Sequence, residues 1–223
     1  MNKERLLGLD DNSVIYADFF KNLLHPDVIN PLQDLSLDAV KAGFQLRLAS
    51  SYRNFPRQLL IWNQKASGAR AVLDSNSQII NILSLTDDEK LWAILRWSAL
   101  PGASRHHWGT DIDVYDSSRM SPDYQLQLTL EETIEPGPFA EFHLWLSEKL
   151  KEKTCPFFRP YAVDKGGVAP EPWHLSYAPV ADYYYAQFSI EILREQIMQT
   201  DILLKESILH NLDEIFERFI KIN

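Results

Sequence analysis

The sequence predicts an α+β fold in which helices flank a small mixed or antiparallel sheet, with extra helices at both termini. Apolar residues recur at helical spacing near both ends of the 223-residue chain. Short segments with strand-like alternation lie between these ends. We find no repeat and no flexible linker. We therefore predict one domain over residues 1–223, with a core over about 40–180 and a C-terminal helical extension over about 186–223.

Composition and charge limit the classes of protein to consider. Hydrophobic residues make up 45 % and charged residues 24 % of the chain, which is typical of globular proteins and excludes a disordered chain. The net charge of −9 predicts no nucleic-acid partner, because an acidic surface repels phosphates. The single cysteine, Cys155, excludes an intrachain disulfide. The oligomeric state is not indicated.

The sequence also shows no apolar run long enough to span a membrane and no signal-peptide core at its N-terminus. As written, it predicts a cytoplasmic location, or a periplasmic one if the true start lies upstream.

The first forty residues are predicted to form amphipathic helices. These helices are expected to break at His25-Pro26 and at Asn30-Pro31, because proline removes a backbone donor. The last of them should end at Gly43, which can adopt a left-handed conformation. A strand is predicted over residues 44–49, where apolar and polar side chains alternate.

Four further helices are predicted from helical spacing, over residues 56–66, 87–99, 139–151 and, as one or two helices, 189–222. Thr86 and Glu89 form the pattern of a capping box at the start of the second. Further strands are predicted over residues 110–115 and 173–177. In the first of these, Ile112 should point to the opposite face from Asp111 and Asp113.

Histidines and carboxylates concentrate in two short segments. Residues 104–113 read Ser-Arg-His-His-Trp-Gly-Thr-Asp-Ile-Asp, and residues 171–174 read Glu-Pro-Trp-His. Two imidazoles and one carboxylate suit a catalytic Zn²⁺, which keeps a fourth position for water. A further carboxylate must take the proton of that water, and Glu171, three residues before His174, is placed to do so.

These segments resemble the D-alanyl-D-alanine carboxypeptidase group of the LAS metallopeptidases (lysostaphin, D-Ala-D-Ala peptidase, hedgehog), and specifically its VanY-like branch. The signature Ser-x-His-x-x-Gly-x-Ala-x-Asp followed by Glu-x-x-His is matched by Ser104, His106, Gly109, Asp113, Glu171 and His174. Upstream, residues 50–54 read Ser-Ser-Tyr-Arg-Asn where the family has Ser-Gly-Tyr-Arg-Ser, and Gln58 is in register.

The resemblance implies a zinc-dependent peptidase that removes a C-terminal D-alanine from peptidoglycan peptides ending in D-Ala-D-Ala. It places the peptidase core at about 40–180 in a hedgehog-like fold. It implies His106, Asp113 and His174 as the Zn²⁺ ligands. Glu171 would be the general base, and Arg53 would act in catalysis by holding the substrate carboxylate. Ser104 and Gln58 would contact the peptide.

Two positions depart from the family pattern, Asp111 for alanine and Ser51 for glycine. Asp111 could accept a hydrogen bond from a ligand imidazole, or its charge could weaken carboxylate binding. His107 could be a ligand or could lie outside the ligand set. Asp111 and the acidic segment 123–135 could change the choice of substrate, so an endopeptidase or a dipeptidase that cleaves other D/L muropeptide bonds is an alternative. A non-catalytic zinc-containing binding module and another divalent metal also stay open.

Overall fold

The computed structural model describes residues 2–75, 77–121 and 123–221. In these ranges the α-helices are α1 (Lys3–Leu6), α2 (Pro26–Lys41), α3 (Phe55–Ala66), α4 (Asp87–Leu95), α5 (Leu130–Thr133), α6 (Ala140–Lys149), α7 (Ala178–Gln187), α8 (Ile190–Gln199), α9 (Lys205–His210) and α10 (Leu212–Ile215). The strands are β1 (Ile15–Ala17), β2 (Asn22–Leu24), β3 (Leu46–Ser50), β4 (Val72–Leu73), β5 (Ile79–Ile80), β6 (Asp111–Asp116), β7 (Phe157–Phe158) and β8 (His174–Tyr177). The predicted α+β class is confirmed.

The central sheet has four antiparallel strands in the order β3-β6-β8-β7. The register between β3 and β6 shifts between Leu48 and Ser50, so that Ser50 lies opposite Asp113. A bulge of this kind re-aims the side chains that follow it. The chain therefore leaves β3 beside the polar end of β6, where the candidate site lies.

One hydrophobic cluster lies against a single face of the sheet. Ile112 and Leu175 contribute from β6 and β8, and each is fully buried. The buried stripe of α2 packs on them through residues such as Leu32, and α6 adds Phe142 and Leu146. Because this cluster occupies one face, the other face of β6 and β8 is left for polar side chains.

A second cluster joins the remaining helices. Trp62 of α3 and Leu91 of α4 are fully buried with Leu193 of α8 and Ile208 of α9. The Trp62 Nε1 also donates to the backbone oxygen of Leu203. The C-terminal helices are thus packed against α3, the helix that follows the Arg53 segment.

The N-terminal prediction is wrong in two places. Residues 15–24 form the β1-β2 hairpin instead of a helix, with Lys21 in a left-handed conformation at φ 57°. The break at His25-Pro26 is confirmed, since α2 begins at Pro26. Pro31 does not interrupt α2. Its missing donor costs one hydrogen bond near the helix start, and the buried stripe of α2 outweighs that loss.

Other boundaries shift by a few residues. Gly43 has the expected positive φ, at 92°, and the capping box at Thr86 is present, but α4 ends at Leu95. The predicted C-terminal stretch is divided into α8, α9, α10 and a π-helical turn. Leu204 has a φ of 64° and separates α8 from α9. Ile222, the last residue of that prediction, lies outside the described residues, as do Met1 and Asn223. None of the described helices has the length and apolar character that a bilayer crossing requires.

Candidate active site

Two neighbouring strands place four polar side chains on one face of the sheet. Asp113 of β6 lies directly opposite His174 of β8, and Asp111 lies opposite Ser176. Residues two apart on a strand share a face, so both pairs face away from the hydrophobic cluster. Ile112, between the two aspartates, points into that cluster. The expected alternation along β6 is confirmed.

His106 reaches the same face from a 3₁₀ turn (Arg105–Trp108) that precedes β6. The turn ends at Gly109, whose φ of 68° is left-handed and whose backbone runs against that of His25. A side chain at position 109 would collide with this backbone. The Nδ1 of His106 donates to the carbonyl oxygen of Ser51 at 2.8 Å, which directs its Nε2 toward Asp113.

His106, Asp113 and His174 form a buried group that can hold a metal ion. One ligand atom from each lies within 4.8 Å of the others. His106 Nε2 is 3.4 Å from Asp113 Oδ2, and His174 Nδ1 is 3.2 Å from Asp113 Oδ1. Ligands about 2.1 Å from a tetrahedral Zn²⁺ are separated by about 3.4 Å, so these separations fit that ion.

Hydrogen bonding around the group also fits a cation. The Nε2 of His174 lies 3.0 Å from Asp111 Oδ1, and a proton on Nε2 leaves a lone pair on Nδ1. The buried Asp113 Oδ1 accepts no well-aligned hydrogen bond among the described residues, although His174 Nδ1 lies 3.2 Å from it. Unpartnered buried acceptors are rare. A metal ion would satisfy both this oxygen and the Nδ1 lone pair.

The two imidazoles have opposite pKa shifts. Burial lowers the pKa of His106 to about 4, so this ring is neutral at pH 7. Burial acts in the same direction on His174, but the adjacent carboxylates of Asp111, Asp113 and Glu171 outweigh it and raise its pKa well above the usual value. Without a metal, a proton on His174 holds the carboxylates together. A cation that binds there must displace that proton.

Glu171 borders the group from the segment just before β8. Its Oε2 lies 3.3 Å from His174 Nδ1, and its side chain is 15 % exposed. Burial raises the pKa of Glu171, and the nearby negative charge of Asp113 adds to this effect. A carboxylate with a raised pKa that remains reachable from solvent is suited to accepting and returning a proton.

Tyr161 is a site residue that the sequence did not reveal. Its ring packs edge-on against His174 with centroids 5.0 Å apart, and its carbonyl oxygen accepts from the backbone N–H of Glu171. Burial raises the pKa of Tyr161 to about 12, so its hydroxyl keeps its proton. Tyr161 lies in a loop without a recognisable motif, and only the folded chain brings it to the site.

Arg53 lies beside the same group and is held by two side chains. Its Nη1 donates to Gln58 Oε1 at 2.7 Å, and its Nη2 donates to Ser50 Oγ at 3.1 Å. The charges of Asp113 and Glu171 act on it, although burial has the larger effect and lowers its pKa. A guanidinium has five N–H donors, so further donors remain for a ligand.

Gln58 is fully buried, and both ends of its amide are used. Its Oε1 accepts from Arg53, while its Nε2 donates to the carbonyl oxygen of Ala99 at 2.7 Å. The structure therefore places Gln58 behind Arg53 and away from solvent. Ser104 is also buried, at 1 % exposure, and its carbonyl oxygen accepts from the backbone N–H of His107.

His107 has a position distinct from the metal-binding group. Its Nδ1 donates to the carbonyl oxygen of Arg53 at 2.6 Å, and its Nε2 accepts from the N–H of Gly102 at 3.1 Å. Both ring nitrogens are therefore engaged. The backbone N–H of Arg53 donates in turn to the carbonyl oxygen of His106. The sequence left open whether His107 is a metal ligand. The geometry excludes that role and shows instead that His107 holds the backbone of Arg53.

Asp111 is the centre of a buried network behind His174. Arg105 Nε donates to it at 2.8 Å, and the hydroxyls of Thr110 and Ser176 donate at 2.7 and 3.1 Å. Burial opposes ionisation, but the Arg105 charge and the His174 hydrogen bond keep the pKa of Asp111 below its usual range. The first of the two expected roles of Asp111 is therefore the one that the structure shows, a hydrogen-bond partner of His174.

Comparison with known proteins identifies the family. A family model described as VanY, D-alanyl-D-alanine carboxypeptidase, matches residues 21–180. The fold and this match define a peptidase. The chain belongs to the VanY family.

Relatives are found among curated proteins and solved structures. An uncharacterized protein of Haemophilus influenzae is 36 % identical over 123 residues, which are 54 % of this chain and 92 % of the relative. A second one is 44 % identical over 79 residues, 35 % of this chain and about half (54 %) of that relative.

The solved structures are more distant in sequence. The fold resembles a vancomycin-resistance D,D-pentapeptidase VanY mutant in complex with Zn(II), at 22 % identity and TM-score 0.52, with 87 % of this chain and 88 % of that one covered. It also resembles VanYB bound to D-alanine-D-alanine, at 20 % identity and TM-score 0.53, with 84 % and 89 % covered. The LdcB LD-carboxypeptidase shares the fold at 19 % identity and TM-score 0.52, with 92 % and 78 % covered. These likenesses agree with the predicted fold.

Proposed function

We propose that this protein is a zinc-dependent carboxypeptidase that removes the C-terminal D-alanine from peptidoglycan peptides ending in D-Ala-D-Ala. The observation that carries the proposal is the convergence of three buried ligand atoms within 4.8 Å, with Glu171 and Arg53 beside them. Family membership and the likeness to VanYB support the choice of substrate.

His106, Asp113 and His174 would hold the zinc ion. When bound, Zn²⁺ polarises a carbonyl group and makes water acidic enough to attack near neutral pH. Glu171 takes the proton of the attacking water and passes it to the nitrogen of the departing D-alanine. Its raised pKa makes the carboxylate a stronger proton acceptor than an ordinary glutamate.

Arg53 binds the C-terminal carboxylate of the peptide through its remaining N–H donors, since a guanidinium matches a carboxylate in shape and charge. Gln58 and Ser50 fix the orientation of the guanidinium, so Gln58 contributes to binding through Arg53. Holding the last carboxylate at a set place makes the enzyme select the terminal peptide bond over internal ones. Ser104 is proposed to hydrogen-bond the peptide from the start of the His106 turn.

The test is release of D-alanine from a pentapeptide ending in D-Ala-D-Ala. We expect release with zinc, loss after chelation and recovery when zinc is restored. Glu171→Gln should lower kcat by about 1,000-fold with zinc still bound, because the proton acceptor is lost. Glu148→Gln, at an exposed position on α6, is the matched control.

Other outcomes would redirect the proposal. Cleavage of another muropeptide bond would indicate an endopeptidase, a dipeptidase or an L,D-carboxypeptidase. Tight peptide binding without any turnover would indicate a binding module. Full activity of Glu171→Gln would contradict the role given to Glu171. The expected cytoplasmic location remains a prediction, which cell fractionation can test.

A further inference from the structure

Lys65 is a largely buried lysine on α3 that no step of the proposed reaction uses. It lies seven residues after Gln58, and such residues share a helix face about 10 Å apart along the axis. Its Nζ donates to Ser98 Oγ at 2.6 Å. No carboxylate forms an ion pair with Lys65 in the described part of the chain, and lysines are rarely buried without such a partner.

A short chain of contacts connects Lys65 to Arg53 and the two side chains that hold it, Gln58 and Ser50, which together are called the Arg53 clamp. Arg53 donates to Gln58, and Gln58 donates to the carbonyl oxygen of Ala99. Ser98, the residue before Ala99, holds the Lys65 ammonium group. The two cations therefore lie at the two ends of one short chain of contacts, with Arg53 just before α3 and Lys65 in its last turn.

The electrostatic surroundings agree with this placement. Burial lowers the pKa of Lys65 to about 8, and repulsion from Arg70 and Arg53 adds to the shift, while Glu171 opposes it. Lys65 is thus within the electric field of both the clamp and the proposed base. A desolvated ammonium without a counter-ion costs free energy, which an arriving anion would recover.

We propose that Lys65 binds a second carboxylate of the substrate, carried by the peptide upstream of the scissile bond. This inference rests on the proposed function, because it takes Arg53 as the site of the terminal carboxylate. An extended peptide advances about 3.5 Å per residue, so the spacing of about 10 Å between Gln58, which holds Arg53, and Lys65 corresponds to some three residues. The side chain of the third residue from the C-terminus is within this reach. Lys65 therefore selects peptides with a free acid at that position.

Two matched pentapeptides test the proposal. Both end in D-Ala-D-Ala, and they differ only at the third residue from the C-terminus, which is glutamate in one and glutamine in the other. We expect the zinc-loaded protein to show a KM about tenfold lower for the glutamate peptide, with similar kcat, because the second carboxylate contributes a charge-assisted hydrogen bond.

Substitutions at Lys65 then test whether this residue causes the preference for the glutamate peptide. Lys65→Met should bring the KM ratio close to one, and Lys65→Arg should restore it. Lys151→Met, at an exposed lysine, should keep the wild-type ratio. Lys65→Gln replaces Lys65→Met if the methionine variant does not fold. A merely structural role for Lys65 would change stability and leave the KM ratio unaltered.

The result that overturns the proposal is a KM ratio near one in the wild-type protein, or a preference that survives loss of the ammonium group. Absence of D-alanine release from both peptides would instead contradict the proposed function. Calorimetric titration with the same two peptides then decides the inference. Tighter binding of the glutamate peptide that Lys65→Met abolishes supports it, and equal binding or no binding refutes it.

Discussion

The two faces of β6 are both buried, but one carries apolar side chains and the other carries acidic ones. Ile112 and Val114 are fully buried on one face, while Asp111 and Asp113 are 0 % and 5 % exposed on the other. The apolar face gains free energy when it leaves water, about 1.5–3 kcal/mol for each large side chain. The charged groups of the polar face lose their hydration, and only hydrogen bonds and ion pairs with other protein groups offset that loss of free energy.

This difference shows which part of the strand maintains the fold and which part performs the chemistry. The apolar face packs on α2 and α6, so its removal should cost stability. The polar face contacts His106, His174 and Arg105. Burying these charged groups costs stability, and the group that they form can bind a metal ion. Substitutions on the two faces should therefore separate stability from metal binding.

The largest expected effect is on the apolar face. Ile112→Ala should lower the free energy of unfolding by about 3 kcal/mol, because a fully buried side chain is replaced by a cavity. Urea denaturation of the metal-free protein measures this change. The folded fraction should bind zinc as the wild type does. A change below about 1 kcal/mol would show that this face is not the main packing surface.

A smaller effect is expected behind the polar face. Asp111→Asn should weaken zinc binding by about 10- to 100-fold, because the His174 ring loses the carboxylate that orients it. Competition with a chromophoric chelator measures the affinity. Ser176→Ala, which removes another contact of Asp111 and none of His174, is the control. Unchanged affinity in Asp111→Asn would mean that His174 is oriented by its packing alone.

The smallest effect is a dependence of zinc affinity on pH. The raised pKa of His174 means that a proton occupies the site at neutral pH, and zinc must displace it. Affinity should therefore rise with pH by up to about tenfold per unit and level off above that pKa.

The stability of the metal-free protein should change with pH in the opposite direction to its zinc affinity. The protonated ring stabilises the metal-free protein fully below about pH 6.5, and this contribution is lost as the pH rises through the raised pKa. Chelator competition and urea denaturation at several pH values measure both. A zinc affinity independent of pH would contradict ligation by His174.

Much of the site could be predicted because its residues lie in short, specific segments. The alternation along residues 110–115 correctly separated Ile112 from the aspartates, since neighbouring strand residues point to opposite faces. The motifs also led to His106, Asp113 and His174, which the fold brings together. The hairpin at residues 15–24 was missed, because weak helical spacing there is outweighed by pairing with a neighbouring strand.

The sequence by itself determined the α+β class, the family and the residues of the candidate site, because these depend on local periodicity and on motifs contiguous in the chain. The tertiary structure decided how these residues are supported. Only folding brings Tyr161 onto His174, buries Gln58 behind Arg53 and places Lys65 near the same clamp. Such contacts join segments distant in sequence, and their geometry is set by packing and not by local pattern.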